Sequence, residues 1–168
     1  MKMDHLLNGK KILIVDDEAD IVEMLAEQLV MCELSTASSF QEASELLETQ
    51  CFDMAVLDIM GVNGYELLEI ANRKGVIAIM LTAHALSPEN AVKSRKEGAA
   101  SYVPKRKMNE IATFLVDILE AKEKGRSVWW RWHDRFGSYF DKRFGPDWNR
   151  YGEFWKESHA IKWEKYFH

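Results

Sequence analysis

Three carboxylates stand at the ends of two apolar runs. In "KKILIVDDE" the run from Ile12 to Val15 stops on Asp16 and Asp17, and in "MAVLDIMGVNGYELLE" the run from Met54 to Leu57 stops on Asp58, ahead of two glycines and a helix-like segment. If the runs are neighbouring strands, the three acids meet. Clustered carboxylates repel one another, so a site that holds them must raise a pKa or recruit a cation. Magnesium takes hard oxygen ligands and keeps several waters, which suits an acidic pocket that also receives a phosphate. A carboxylate can itself be a nucleophile and form an acyl phosphate. The transferred phosphoryl group then needs positive charge and donors near its oxygens. Lys105, after the run "ASYVPK", is a candidate cation, and Thr82, at the end of "AIMLTA", a candidate hydroxyl donor. Taken singly, each has an ordinary reading, since Asp is common at turns and Thr in strands. Their joint placement carries the chemistry.

That placement depends on the elements. Strand-like runs "KILIV", "ELSTAS", "DMAVL", "VIAIML" and "ASYV" alternate with the helix-like segments "EADIVEMLAEQLVMC", "SFQEASELLETQ", "GYELLEIANRK", "SPENAVKSRKEG" and "MNEIATFLVDILEAKEK". Ser39 is the expected N-cap of the second helix. Continuous apolar strands alternating with helices imply an α/β fold with a parallel sheet covered on both faces. Right-handed crossovers leave few topologies, and the doubly wound, flavodoxin-like (βα)₅ order 2-1-3-4-5 is the natural one. In such sheets the chemistry sits beyond the carboxyl ends of the strands, where Asp16, Asp17 and Asp58 fall.

With these elements in place the chain resembles the response-regulator receiver domain over about residues 9 to 122. The marks occur in order: the acidic pair in "LIVDDE", the acceptor in "AVLDIM", the Thr in "MLTAHA", the "EGAASYV" approach to strand five, and Lys105 three residues after Tyr102. The resemblance implies that Asp58 is the phosphoacceptor. It implies that Asp16, Asp17, Asp58 and the Met60 carbonyl hold Mg²⁺, that Lys105 bridges to the phosphate, and that Thr82 and Tyr102 form a switch pair. The implied role is signalling in a two-component phosphorelay, fed by a histidine kinase or phosphotransfer protein and read by an output protein. Chemistry of its own is then confined to Mg²⁺-dependent self-phosphorylation and slow self-dephosphorylation. The alternative is a pseudo-receiver, an interaction module that never carries phosphate. Two positions depart from the family pattern. Gly61 stands where a Pro is common, in a shortened loop, and Pro104 precedes Lys105 while Arg106 follows it. A Lys105–Arg106 peptide is therefore either trans or strained, because a cis bond not preceding Pro costs about 2.5–4 kcal/mol.

Composition divides the chain. Residues 1–124 carry 13 Lys/Arg against 21 Asp/Glu, net −8, and residues 125–168 carry 9 against 6, net +3. All six Trp and 14 of the 19 aromatics lie in those last 44 residues. We read a receiver unit at 9–124 and an aromatic-rich helical extension at 125–168. Helical spacing puts Trp129, Trp130, Trp132, Phe136, Tyr139, Phe140 and Phe144 on one half of a helix, with the 129/132/136/140 stripe expected inward. After "GPDW" a second aromatic helix is expected, carrying Trp148, Tyr151, Phe154 and Trp155. So short a tail has no helix-turn-helix spacing, which argues against nucleic acid as a partner. Acids on its polar face argue against a membrane surface. Packing on its own receiver, a homodimer or a protein partner remain. No apolar run reaches the roughly 20 residues of a membrane span. No secretory leader is read at the N-terminus, so a cytoplasmic location is expected. Cys32 and Cys51 show no metal or disulfide spacing and are expected reduced.

Overall fold

The apolar runs do become strands, and their registers bring the acidic ends together. The computed structural model describes residues 2–83, 88–129, 131, 132, 135, 136 and 142. In chain order the elements are α1 (Lys2–Leu7), β1 (Lys11–Val15), α2 (Ala19–Gln28), β2 (Glu33–Ala37), α3 (Phe40–Thr49), β3 (Met54–Asp58), α4 (Gly64–Arg73), β4 (Ile77–Thr82), α5 (Pro88–Lys96), β5 (Ser101–Pro104), a 3₁₀ helix (Lys105–Glu110) and α6 (Ile111–Glu123). All strand pairs are parallel, in the order β2-β1-β3-β4-β5. This is the doubly wound, flavodoxin-like sheet expected from the sequence.

The central strands are buried from Ile12 to Val15 in β1 and throughout β3. Their continuous apolar sequence follows from cover on both faces. Because the strands are parallel, all carboxyl ends lie along one edge. Val15 pairs with Leu57, Asp58 with Leu81, and Thr82 with Pro104. Asp16, Asp58, Thr82 and Lys105 are therefore neighbours by register alone.

The helices lay their apolar faces on this sheet. Ser39 caps α3 as expected, its side chain accepting the Glu42 amide at 3.2 Å while the Glu42 carboxylate accepts the Ser38 amide at 3.3 Å. That reciprocal box satisfies two amides at the helix start. Helix α1 was not foreseen; it packs against α6 and places Leu7 in the core with no exposed surface.

Val128, Trp129, Arg131, Trp132, Arg135 and Phe136 in the tail are helical, and Trp129, Trp132 and Phe136 join the core cluster. The expected inward stripe is thus seen at three positions. Phe140 and the second aromatic segment lie outside the described residues. No helix among the described residues is long and apolar enough to cross a membrane.

Candidate functional site

Lys105 is the hub of the site. Its ammonium lies 2.8 Å from Asp16 Oδ2, 3.0 Å from Glu18 Oε1 and 3.4 Å from Asp58 Oδ1. Asp16, Asp58 and Lys105 are all buried, at 0%, 4% and 8% exposure, so these charges interact with little solvent screening. Asp16 Oδ1 accepts the Glu18 amide at 2.9 Å. Asp16 Oδ2 has no aligned hydrogen-bond donor among the described residues, so its close approach to Lys105 is a contact of charges. Thr82 is buried at the end of β4 beside Pro104, and Tyr102 is wholly buried within β5. The described residues include no cis peptide, so Lys105–Arg106 is trans, and Lys105 opens the 3₁₀ helix.

Glycine makes the loop after Asp58 possible. Gly61 has φ +68°, and a Cβ there would fall 2.8 Å from both carboxylate oxygens of Asp17. The turn and the Asp17 side chain both need this residue to be glycine. At Gly64 a Cβ would come within van der Waals overlap of the Asp58 carbonyl oxygen, so α4 can begin hard against the end of β3 only with Gly in its first position. Asn63, with φ +54°, supplies the left-handed residue between them. The Met60 carbonyl accepts the Val62 amide at 2.6 Å, which uses one of its two lone pairs.

Burial, then the charge of Asp16, pushes Asp58 up from its ordinary 3.8 to about 6, against the pull of Lys105. Asp16 is also raised, chiefly by burial, although Lys105 and the Glu18 amide oppose the rise. Burial works against the charge on Lys105, yet its partners Asp16 and Glu18 prevail and hold it more firmly protonated than a free lysine. Above pH 6 the site thus presents an ionised Asp58 beside a fixed cation.

The carboxylate oxygens of Asp16, Asp17 and Glu18 lie within 4.8 Å of one another, close enough to share one cation. This donor set is all hard oxygen, one of its buried atoms lacks an aligned donor, and a cleft of about 310 Å³ lined by Asp16, Asp17, Ser38 and Glu42 opens onto it. The residues fit a hard divalent ion. Sequence reasoning did not single out Glu18. Its signal is the third acid of "DDE", which the helical pattern assigns only to the start of a helix.

A family model for the response regulator receiver domain matches residues 12–115. The chain belongs to that family, whose members are signalling modules of two-component response regulators. It is 37% identical over 105 residues to the phosphate regulon transcriptional regulatory protein PhoB of Pseudomonas aeruginosa, an alignment covering 58% of this chain and 45% of PhoB. It is 31% identical over 110 residues to the two-component response regulator ARR10 of Arabidopsis thaliana, covering 61% of this chain and 20% of ARR10. The chain thus spans less than half the length of either relative. A CheY-like receiver domain protein from Methanospirillum hungatei superposes with a TM-score of 0.61 at 32% identity, over 70% of this chain and 98% of that one.

Proposed function

We propose that the chain is a phosphoacceptor of a two-component pathway, with Asp58 as the residue modified. The observation that carries this reading is a buried carboxylate at the end of β3, 3.4 Å from a buried lysine and one strand from an acidic cluster. In the transfer, an Asp58 carboxylate oxygen attacks phosphorus. The bond from phosphorus to the donor's nitrogen or oxygen breaks, and the leaving group departs with the electron pair. Lys105 stays protonated and holds a phosphoryl oxygen, while the Thr82 hydroxyl donates to another. Asp16 and Asp17 would hold Mg²⁺ together with Asp58 and the Met60 carbonyl. When bound, the ion offsets charge on the phosphoryl oxygens. Slow attack by water on the acyl phosphate returns the carboxylate.

The donor in this reading is a histidine kinase or phosphotransfer protein, and the output is a protein contact governed by the switch pair Thr82 and Tyr102. The receiver unit is residues 9–124, with α1 packed on it, and 125–168 is its extension; the location is cytoplasmic. The test is Mg²⁺-dependent binding of beryllofluoride, a phosphoryl analogue, measured by ¹⁹F NMR. Binding in the wild type and none in Asp58→Asn is expected. No response in either protein supports a constitutive interaction module instead.

A further inference from the structure

The tail helix lies on one particular face of the receiver. Trp129 Nε1 donates to the Ala99 carbonyl at 2.9 Å, ahead of β5, and Trp132 Nε1 donates to the Tyr102 carbonyl at 2.6 Å, within β5. The Phe136 ring stacks on Phe114 of α6 with centroids 5.7 Å apart and also meets Trp132 at 5.2 Å. Arg95 of α5 lies over the Trp129 ring. On the polar side, Arg131 Nη1 and Arg135 Nε donate to the two carboxylate oxygens of Asp117 at 3.1 and 2.5 Å, and Arg131 also reaches Glu120. Two indole hydrogen bonds, a ring stack and a double arginine clamp make a specific seat, with basic tail matched to acidic receiver.

That seat is joined by three residues of backbone to Lys105, whose ammonium lies 3.4 Å from Asp58 Oδ1. Tyr102, whose carbonyl holds Trp132, lies three positions before Lys105, and between them Pro104 pairs with Thr82. Lys105 Nζ now sits closer to Asp16 and Glu18 than to Asp58. A phosphoryl group on Asp58 would bring about −1.5 to −2 charges. It would draw Lys105 away from Glu18 and toward β3. That pull acts on a buried side chain at the end of β5, three residues from the Tyr102 carbonyl that holds Trp132.

We propose that the face formed by α5, β5 and α6 is an output surface whose ligand is this chain's own tail helix, bound in cis and released when Asp58 is phosphorylated. The recognised pattern is an amphipathic helix with aromatics at 129, 132 and 136 and arginines at 131 and 135. Phosphorylation exposes both halves of the contact together. Because coupling is reciprocal, a tail that cannot dock leaves Asp58 easier to modify.

This inference rests on Asp58 as the phosphoacceptor, and the experiment separates the two. Full-length protein is treated with acetyl phosphate and Mg²⁺. Intact mass reports phosphorylation, and tryptophan emission reports the tail, since all six Trp lie there. Phosphorylation accompanied by a red-shifted emission and faster proteolysis after Lys124 is expected. In Arg131→Gln/Arg135→Gln, and separately in Trp132→Phe, the phosphoryl analogue beryllofluoride with Mg²⁺ should bind more tightly than in the wild type, by about 5-fold or more for a coupling of ordinary size. Stoichiometric phosphorylation with unchanged emission and proteolysis, or beryllofluoride affinity equal to the wild type's in both variants, overturns the cis-ligand proposal alone. No phosphorylation at all overturns the functional reading and this inference with it.

Discussion

An Asp58→Asn substitution removes a buried negative charge that lies beside Asp16 and is only partly offset by Lys105. A rise of the Asp58 pKa from 3.8 to about 6 means that the folded protein binds this proton more tightly than the unfolded chain does. At about 1.4 kcal/mol for each pH unit, the ionised carboxylate costs the fold about 3 kcal/mol at pH 7.5. The sign follows from linkage. Between pH 3.8 and about 6 the native state carries more protons, so wild-type stability falls as pH rises through that window. Asparagine, uncharged and of nearly equal size, has no such dependence. Urea unfolding in EDTA should therefore show Asp58→Asn more stable by about 3 kcal/mol at pH 7.5, with the gap shrinking below pH 6 and closing near pH 4. Added Mg²⁺ should narrow it at pH 7.5 by compensating the acids. An asparagine variant no more stable than wild type at pH 7.5, or a gap that does not change with pH, would refute the electrostatic reasoning.

Three further outcomes follow from single residues. Gly61→Ala meets both a positive φ and the Asp17 carboxylate, so it should lower stability by about 1–2 kcal/mol and weaken Mg²⁺ binding, read by urea unfolding and by Mg²⁺ titration. Gly64→Ala should do more damage, because its Cβ meets the main chain of Asp58 and Ile59, where nothing can rotate aside; loss of beryllofluoride binding checks it. Trp132→Ala empties a buried ring site and leaves the Tyr102 carbonyl without its indole donor, a loss of about 3–5 kcal/mol for cooperative unfolding of tail and receiver. Calorimetry should show a lower melting temperature or a separate early transition of the tail.

Features written in short-range pattern were readable from the chain. The strands announced themselves as apolar runs, Ser39 as a cap, and Asp16, Asp17, Asp58, Thr82 and Lys105 as strand-end residues that register then gathered. Contacts made across long stretches of sequence were not readable. Lys105 meets Glu18 from 87 residues away, and nothing near either residue announces the pair. Helix α1 is six residues long and lies far from α6 in sequence; its support comes from tertiary packing, which local propensity does not report. The shortened loop was legible as a departure from the family pattern. That Gly61 is needed to clear the Asp17 carboxylate emerged only from the fold. The tail's inward stripe was visible as a helical period, while its seat on Ala99, Tyr102 and Asp117 depends on carbonyls and a carboxylate that only the folded receiver brings side by side.

The claim that Asp58 accepts phosphate is tested most directly by intact-mass spectrometry and peptide mapping after incubation with acetyl phosphate and Mg²⁺. The account predicts one added phosphoryl group, mapped to Asp58 by borohydride reduction of the acyl phosphate, released by hydroxylamine, and absent without Mg²⁺ or in Asp58→Asn. An unchanged mass in the wild type, or equal labelling of Asp58→Asn, would contradict it.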